Sequence, residues 1–357
     1  MAAATSIKDD INLPSDTLID ILLEVPQNTD HGDFATSLAL RLAKPCNMNP
    51  RHLADLIVAA AEKPDAVESI WVEGPGFINI SLNTIWVSHQ VEDINERGET
   101  YGNIELGQNS SVQVEYVSVN PTGPVHVGHA RGAVLGDTLS NVLTAAHFNV
   151  TREYYFNDAG AQMELFYKSL HTRQLQLAGV DTKMPENGYM GEYMIDLAKE
   201  IIDQSNNPAS KTSKTYTQQE IGQIGLNKML ANIQSVLEKL NIHFDVWFKE
   251  HTLYELGQYD KAMDLLRARG FIEKRDGATW FMSSLLGADK DNVVIRSNGT
   301  PTYFAADIAY HYNKFVERKF SSVIDVWGAD HQGHTGRMKA ALKAIQVNPD
   351  HLTIIIT

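Results

Sequence analysis

Residues Val112 to Gly136, VQVEYVSVNPTGPVHVGHARGAVLG, decide how this chain is read. Val112 to Val119 has the alternation of a strand. Asn120-Pro121-Thr122-Gly123-Pro124 is a turn stiffened by two prolines. His126-Val127-Gly128-His129 then stands at the mouth of a small-residue helix, Ala130 to Ala146. A helix start offers free backbone N–H groups and a partial positive charge, so it attracts phosphate. His126 and His129 lie three residues apart, close enough for both imidazoles to donate to one phosphate group. Gly128, lacking a side chain, lets a flat base come close to the backbone. Donors fixed in advance where charge grows are usually the largest catalytic contribution. Two ordinary surface histidines at a helix start would share the four residues. The strand before them, the turn and the helix after them favour the phosphate reading.

Working outward, a strand at Val150 to Phe156 completes a β-α-β order, which implies a parallel sheet. The rhythm resumes at Pro301 with helix Ala305 to Glu317, strand Ser322 to Trp327, helix Gly336 to Ile345 and strand Leu352 to Ile356. Between them, at about residues 163–300, lies a mainly helical insertion. It has helices at Glu220 to Leu240 and Tyr254 to Arg269, a polar stretch at Asp203 to Gln219, and a hairpin-like piece carrying Gly277, Thr279, Trp280 and Phe281. Upstream, helical spacing predicts helices over Ser15 to Val25, Asp33 to Leu42 and Pro50 to Ala61. Ile70 to Leu82 alternates like a strand around a Gly-Pro-Gly turn, Trp86 to Asn95 is a helix, and Gly98 to Ser111 is a linker. The expected class is α/β. A small α/β domain over residues 1–108 precedes a Rossmann-like catalytic domain over 109–357, split by the insertion.

Bulk properties are consistent with this. A chain of 357 residues is too long for one ordinary core. No apolar run approaches the roughly 20 residues of a membrane span, and the first residues lack a secretory pattern. Cys46 is the single cysteine, so no internal disulfide is possible and a reducing cytoplasm fits best. A formal net charge of -14 argues against non-specific nucleic-acid binding over the whole surface, though not against a local basic track. The chain stops on an apparent strand, Leu352 to Thr357, so a longer parent protein is expected.

A second cluster, Gly328-Ala329-Asp330-His331-Gln332-Gly333-His334, sits just past the strand Ser322 to Trp327. Ligands of open α/β sheets bind at the carboxyl ends of strands. Asp330 there can accept bonds from ribose hydroxyls, and His331 or His334 can donate to a nucleotide; Asp330 is also placed to cap a helix. Two histidine pairs invite a zinc reading. With one cysteine and no zinc-type spacing, no protein-bound metal is expected, and magnesium arriving with the nucleotide takes its place.

With these residues in view, the chain closely resembles the arginyl-tRNA synthetases of class I, and the resemblance covers essentially its whole length. His126-Val127-Gly128-His129 matches the HIGH signature. Gly32-Asp33-Phe34-Ala35-Thr36 and Gly74-Pro75-Gly76-Phe77-Ile78-Asn79 resemble the family's additional N-terminal domain. Tyr155-Phe156-Asn157-Asp158-Ala159-Gly160-Ala161-Gln162 resembles its motif after the second strand, and Gly328 to His334 its nucleotide-ribose motif. The resemblance implies ATP with Mg2+, L-arginine and tRNA(Arg) as ligands; apart from it, no membrane partner and a monomer are expected. It implies catalysis by His126 and His129. It places ATP against Pro121, Thr122, Gly123, His126, Gly128, His129, Gly328, Asp330, His331 and His334. It places the arginine side chain against Glu115, Tyr303 and Asp307, with Asn120 holding the amino-acid end. A guanidinium presents five donors, so carboxylates suit it, and Tyr303 and Asp307 stand one helical turn apart. Phe77 and Asn79 become candidate tRNA contacts, by stacking and hydrogen bonding.

The same resemblance implies a KMSKS-like loop and a helical anticodon-binding domain, both beyond Thr357, so the chain alone is expected to be weakly active or inactive. Lys211-Thr212-Ser213-Lys214-Thr215 has the look of that loop but stands inside the insertion. Two rivals remain at this point: another HIGH-bearing nucleotidyl transferase, and a non-catalytic tRNA-binding fragment.

Overall fold

The structure is a computed structural model describing residues 11, 13, 21–205 and 216–357, with 204, 205 and 330 described by backbone alone. It divides into two compact units, Met1–Gly102 and Asn103–Thr357.

The first unit is a three-stranded antiparallel sheet backed by two helices. The sheet order is β1 (Phe34–Thr36), β3 (Phe77–Leu82), β2 (Val67–Glu73). Against it lie α1 (Leu38–Leu42) and α2 (Pro50–Ala59), which bury Leu38, Leu42, Leu53 and Ile57 with Ile78. Asn49 caps α2 through the N–H groups of Arg51 and His52, at 3.0 and 3.3 Å, and Pro50 at the first helical position loses no bond there. Helix α3 (Thr84–Arg97) follows.

One expected helix is corrected here, and of another only the end is described. Asp33 to Leu42 is a strand before it is a helix, because Phe34–Thr36 pairs with Ile78–Ile80 and the Asp33 carboxylate accepts the Leu82 N–H at 2.7 Å. Most of Ser15 to Val25 lies outside the described residues. Its end is extended, with Glu24 and Ala35 exchanging two backbone bonds of 2.8 Å. Apolar spacing cannot register such long-range pairing.

The second unit is built on a five-stranded parallel sheet in the order β11-β10-β4-β5-β6. In chain order it runs β4 (Ser111–Glu115), α4 (Val127–Ala145), β5 (Asn149–Phe156), α5 (Ala161–Leu177), α6 (Glu192–Ser205), α7 (Gln218–Lys239) and β6 (Val246–Lys249). Then come α8 (Thr252–Glu255), α9 (Gln258–Ala268), β7 (Ile272–Arg275), β8 (Ala278–Phe281) and β9 (Asn292–Ile295). It closes with α10 (Tyr303–Tyr312), β10 (Ser322–Trp327), α11 (Thr335–Ala344) and β11 (Leu352–Ile356). This is the Rossmann-like sheet with its split. Helix α4 lies close on the sheet because Gly136 has no side chain: a Cβ there would stand 2.2 Å from the Tyr116 ring.

The insertion differs from a purely helical one. Helices α5, α6 and α7 share a core of Phe166, Leu170, Met194, Leu197, Ile221 and Leu226. Yet β6 returns to the edge of the main sheet beside β5, and β7-β8-β9 form a separate antiparallel sheet rather than a hairpin. Four-residue strands are too short to show a period. The expected helix Tyr254 to Arg269 is two helices, parted at Gly257 in the left-handed conformation (φ 63°). The stretch 206–215 lies outside the described residues, and with it Lys211 to Thr215. Among the described residues no helix is long and apolar enough to cross a membrane.

Candidate active site

The strand expected to run to Val119 stops at Glu115. Val117 (φ 65°) and Ser118 (φ 41°) are both in the left-handed region, unusual for a β-branched residue. Tyr155 holds the bend by donating its backbone N–H to Ser118 Oγ at 3.1 Å. The chain thereby leaves the sheet at the carboxyl end of a central strand and opens a cleft of about 510 Å³. Such strain at a strand end is common where ligands bind.

His126 and His129 line this cleft. His126 is the N-cap of α4, which begins at Val127, earlier than the spacing predicts. Its Nδ1 accepts the Gly128 N–H at 3.1 Å, and His129 Nδ1 accepts the His126 N–H at 3.2 Å. The rings stack with centroids 3.8 Å apart. A ring nitrogen that accepts a bond carries no proton, so each neutral imidazole keeps its proton on Nε2 as a donor. Burial, then the neighbouring His126, lowers the His129 pKa and favours that neutral form. A side chain at Gly128 would meet the His126 ring at 2.9 Å. Here the glycine makes room for that ring, a different reason from an approaching base.

Beside the cleft, and sharing Val117, Ser118, Tyr155, Tyr303, Gly328 and His331 with it, is a smaller polar pocket of about 90 Å³. Glu115, Asp307 and Asp325 line it. Burial pushes Asp307 well above the usual carboxylate range; Arg337 opposes the shift, and Glu115, Glu250 and Asp325 add to it. The Tyr155 hydroxyl donates to Glu250 Oε2 at 2.6 Å.

Across the pocket wall the parallel register sets three acids side by side: Asp325 opposite Glu115, and Glu115 opposite Glu153, which alone of the three is outside the lining. All three are buried, at 0, 7 and 0% exposure, on strands about 4.8 Å apart. The helix above supplies the counter-charges. Helix α10 ends in a π-turn, Asn313–Glu317, and this segment aims Lys314 and Arg318 at the sheet. Lys314 Nζ donates to Glu115 Oε2 at 2.6 Å and Asp325 Oδ1 at 2.8 Å, and stands 4.2 Å from the Tyr310 ring centroid. His311 Nε2 lies 2.9 Å from Asp325 Oδ2. Arg318 grips Glu153 with two bonds, at 2.8 and 2.5 Å. Burial alone would raise Asp325; Lys314 and His311 overcome it and bring the pKa to about 2. Glu115 is raised instead, by burial first, with Lys314 opposing and Asp325 adding to the shift. Lys314 is raised: burial disfavours its charge, but the two carboxylates outweigh that.

The structure thus brings together His126, His129, Asn120, Thr122, Gly123, Tyr303, Gly328 and His331 around the cleft. Glu115, Asp307 and His334 join at the adjoining pocket. Asn120 Nδ2 donates to Gln162 Oε1 at 2.7 Å. Pro121 is buried within the turn. Asp330 lies in a 3-10 turn, Ala329–His334, that Gly328 caps, so Asp330 is not the cap expected for it. Phe77 and Asn79 line a separate cleft of about 600 Å³ in the first unit. Asn79 is 2% exposed, and its Nδ2 has no partner among the described residues.

The sequence alone assigned no role to Glu153, His311, Lys314, Arg318 or Asp325, and Tyr155 entered only as the first residue of a family-like stretch. Charged residues inside strands that otherwise read as core, as in Val323-Ile324-Asp325-Val326, were the available signal.

Comparison with known proteins follows the same outline. Residues 90–355 match the family "tRNA synthetases class I (R), catalytic domain" and residues 2–82 match "Arginyl tRNA synthetase N terminal domain". An arginine–tRNA ligase of Dehalococcoides mccartyi is 49% identical over 338 residues, covering 95% of this chain and 61% of the relative. One from Carboxydothermus hydrogenoformans is 46% identical over 334 residues, covering 94% of this chain and 60% of its own. The chain therefore spans about three-fifths of the length of these curated relatives. The crystal structure of Thermus thermophilus arginyl-tRNA synthetase superposes with a TM-score of 0.61 at 21% identity, over 99% of this chain and 64% of that one, a likeness of fold.

Proposed function

We propose, from the premise that the chain belongs to the arginyl-tRNA synthetase family of class I, that it carries the amino-acid-activating part of an arginine–tRNA ligase. The observation that carries this reading is the acid-lined pocket of Glu115 and Asp307 opening beside the paired imidazoles of His126 and His129. A planar cation in the pocket meets carboxylates on one side and Tyr303 and Tyr155 on another. Asn120, at the cleft, holds the amino-acid end. ATP, brought in with Mg2+, lies along the cleft. The turn Pro121 to Gly123 borders it, the Nε2–H groups of His126 and His129 reach its phosphates, and the segment Gly328 to His334 takes the ribose.

In the first step an arginine carboxylate oxygen attacks the α-phosphorus of ATP. The bond to the bridging oxygen breaks, and pyrophosphate leaves with that electron pair. The two fixed donors act where charge grows on the phosphates. In the second step the terminal 2′-hydroxyl of tRNA(Arg) attacks the arginyl carbonyl and AMP leaves. In the domain at about 1–108 the exposed Phe77 contacts the tRNA, and Asn79, buried at the wall of the same cleft, reaches it only through its Nδ2, unpartnered among the described residues. We place the protein in the cytoplasm as a monomer.

ATP–pyrophosphate exchange tests this, with arginine and tRNA(Arg) present or omitted. Exchange that needs arginine supports the reading. Exchange driven by another carboxylic acid replaces it with a different nucleotidyl transferase. Binding of arginine and tRNA without exchange identifies a non-catalytic fragment.

A further inference from the structure

Replacing a buried ion pair by apolar residues is often neutral or stabilising, so a row of three buried acids is not explained by stability. The row Asp325–Glu115–Glu153 crosses the three central strands in their carboxyl halves, with Glu115 the last residue of its strand, toward the side where ligands of a parallel sheet bind. Two of its members, Glu115 and Asp325, line the pocket. Helix α10 serves both sides of this arrangement. Its first turns present Tyr303 and Asp307 to the pocket, His311 reaches Asp325 from the pocket wall, and the π-turn residue Lys314, outside the lining, bonds to Glu115 and Asp325.

Lys314 is fully buried, and each described contact of its ammonium group is a carboxylate or an aromatic face. It ties Glu115 to Asp325, and Asp325 is in turn held by His311. Among the described hydrogen bonds Glu115 is engaged through Oε2 alone. That bond restricts how far the carboxylate can turn and so narrows the directions open to its second oxygen.

We propose that Lys314 is a positioning residue for recognition of the arginine side chain: it fixes Glu115 through Oε2 so that Oε1 is held ready for the guanidinium. Lys314 itself does not touch the substrate. The proposal rests on the reading of the pocket as an arginine site. It adds that α10 is the element coupling pocket and row, so the geometry of Glu115 depends on a residue outside the cavity.

Calorimetric titration of the 357-residue chain with L-arginine, and separately with ATP, tests both readings. The variants are Lys314→Met and the charge-balanced pair Lys314→Met with Asp325→Asn, which removes one positive and one negative charge and so protects the fold. Loss of a hydrogen bond to a charged group predicts arginine binding weaker by about tenfold or more in each folded variant. The ATP affinity should stay within about twofold. Arginine affinity unchanged in a folded variant, or a parallel fall for both ligands, overturns the positioning role. If neither variant folds, the 15Nζ resonance of Lys314 in the unaltered chain decides. It should move on saturation with arginine and not with ATP, and an unmoved signal overturns the proposal. Absence of arginine binding by the unaltered chain defeats the proposed function itself, a result distinct from any of these.

Discussion

The mouth and the floor of the site hold their polar groups in opposite ways. At the mouth, His126 and His129 sit within one helical turn, and each ring accepts a backbone N–H of the same short segment. At the floor, Lys314 and Glu115 are 199 residues apart in sequence and joined at 2.6 Å. The mouth is wet and local, so each interaction there is worth little for stability and the groups are left available to a ligand. The floor is dry and long-range, so a charge without its partner is costly. The difference teaches that one site can contain donors kept cheap to redirect and acceptors that the whole sheet must hold in place.

Breaking the floor should have the largest effect. Asp325→Ala removes a partner from both Lys314 and His311. Urea unfolding should show a loss of about 3–5 kcal/mol, the usual result of stranding a buried charge. A loss under about 1 kcal/mol, the scale of an exposed pair, would mean that the row is not a balanced unit.

The pocket between the two regions sharpens the contrast. Asp307→Ala should weaken arginine binding by about tenfold to about a hundredfold and leave ATP nearly unchanged. Equal losses for both ligands would count against its role. The pH dependence has a definite sign. Burial raises both Asp307 and Glu115, and a cation binds their ionised forms. Arginine affinity should therefore climb as pH rises through those raised values and level off above them. Titrations from about pH 5 to about pH 8 check this, and an affinity falling over that range would rule the assignment out.

The mouth should respond least to a loss of stability. His129→Ala removes one arm of the reciprocal cap, and the chain should lose about 1 kcal/mol in urea unfolding. In the same variant, exchange of pyrophosphate into ATP should slow by about a hundredfold if the ring is a donor to the reacting phosphates. Slowing no greater than the stability loss implies would leave His129 as a cap alone.

Legibility in the sequence follows the same divide. The strand–turn–helix at Val112 to Gly136, the alternation that becomes β5, β10 and β11, and the split of the sheet are periodic or contiguous signals. Tyr303 and Asp307 were readable as one helix face, through the family pattern. The strand status of Phe34–Thr36 was not, because it depends on a partner some 40 residues on. The extension of β4 was overrun by two residues that look like strand formers, Val117 and Ser118, and that tertiary contacts force into the left-handed region. Of the floor only Glu115 was legible, through the family pattern; its pairing was not, because a lone Asp or Glu in an apolar strand does not name its partner.

By itself the sequence determined the α/β order, the strand–turn–helix around His126 and the family, since these are carried by neighbours within a few residues or by unbroken runs of them; the helix start itself, at Val127, lies three residues before the one its spacing predicts. Only the tertiary structure decided that Asp325, Glu115 and Glu153 stand on one rung and that a π-turn swings Lys314 and Arg318 onto it. The physical reason is that register between parallel strands and the phase of a helix over a sheet are set by packing across the whole unit. A buried charge finds its counter-ion only once that packing exists.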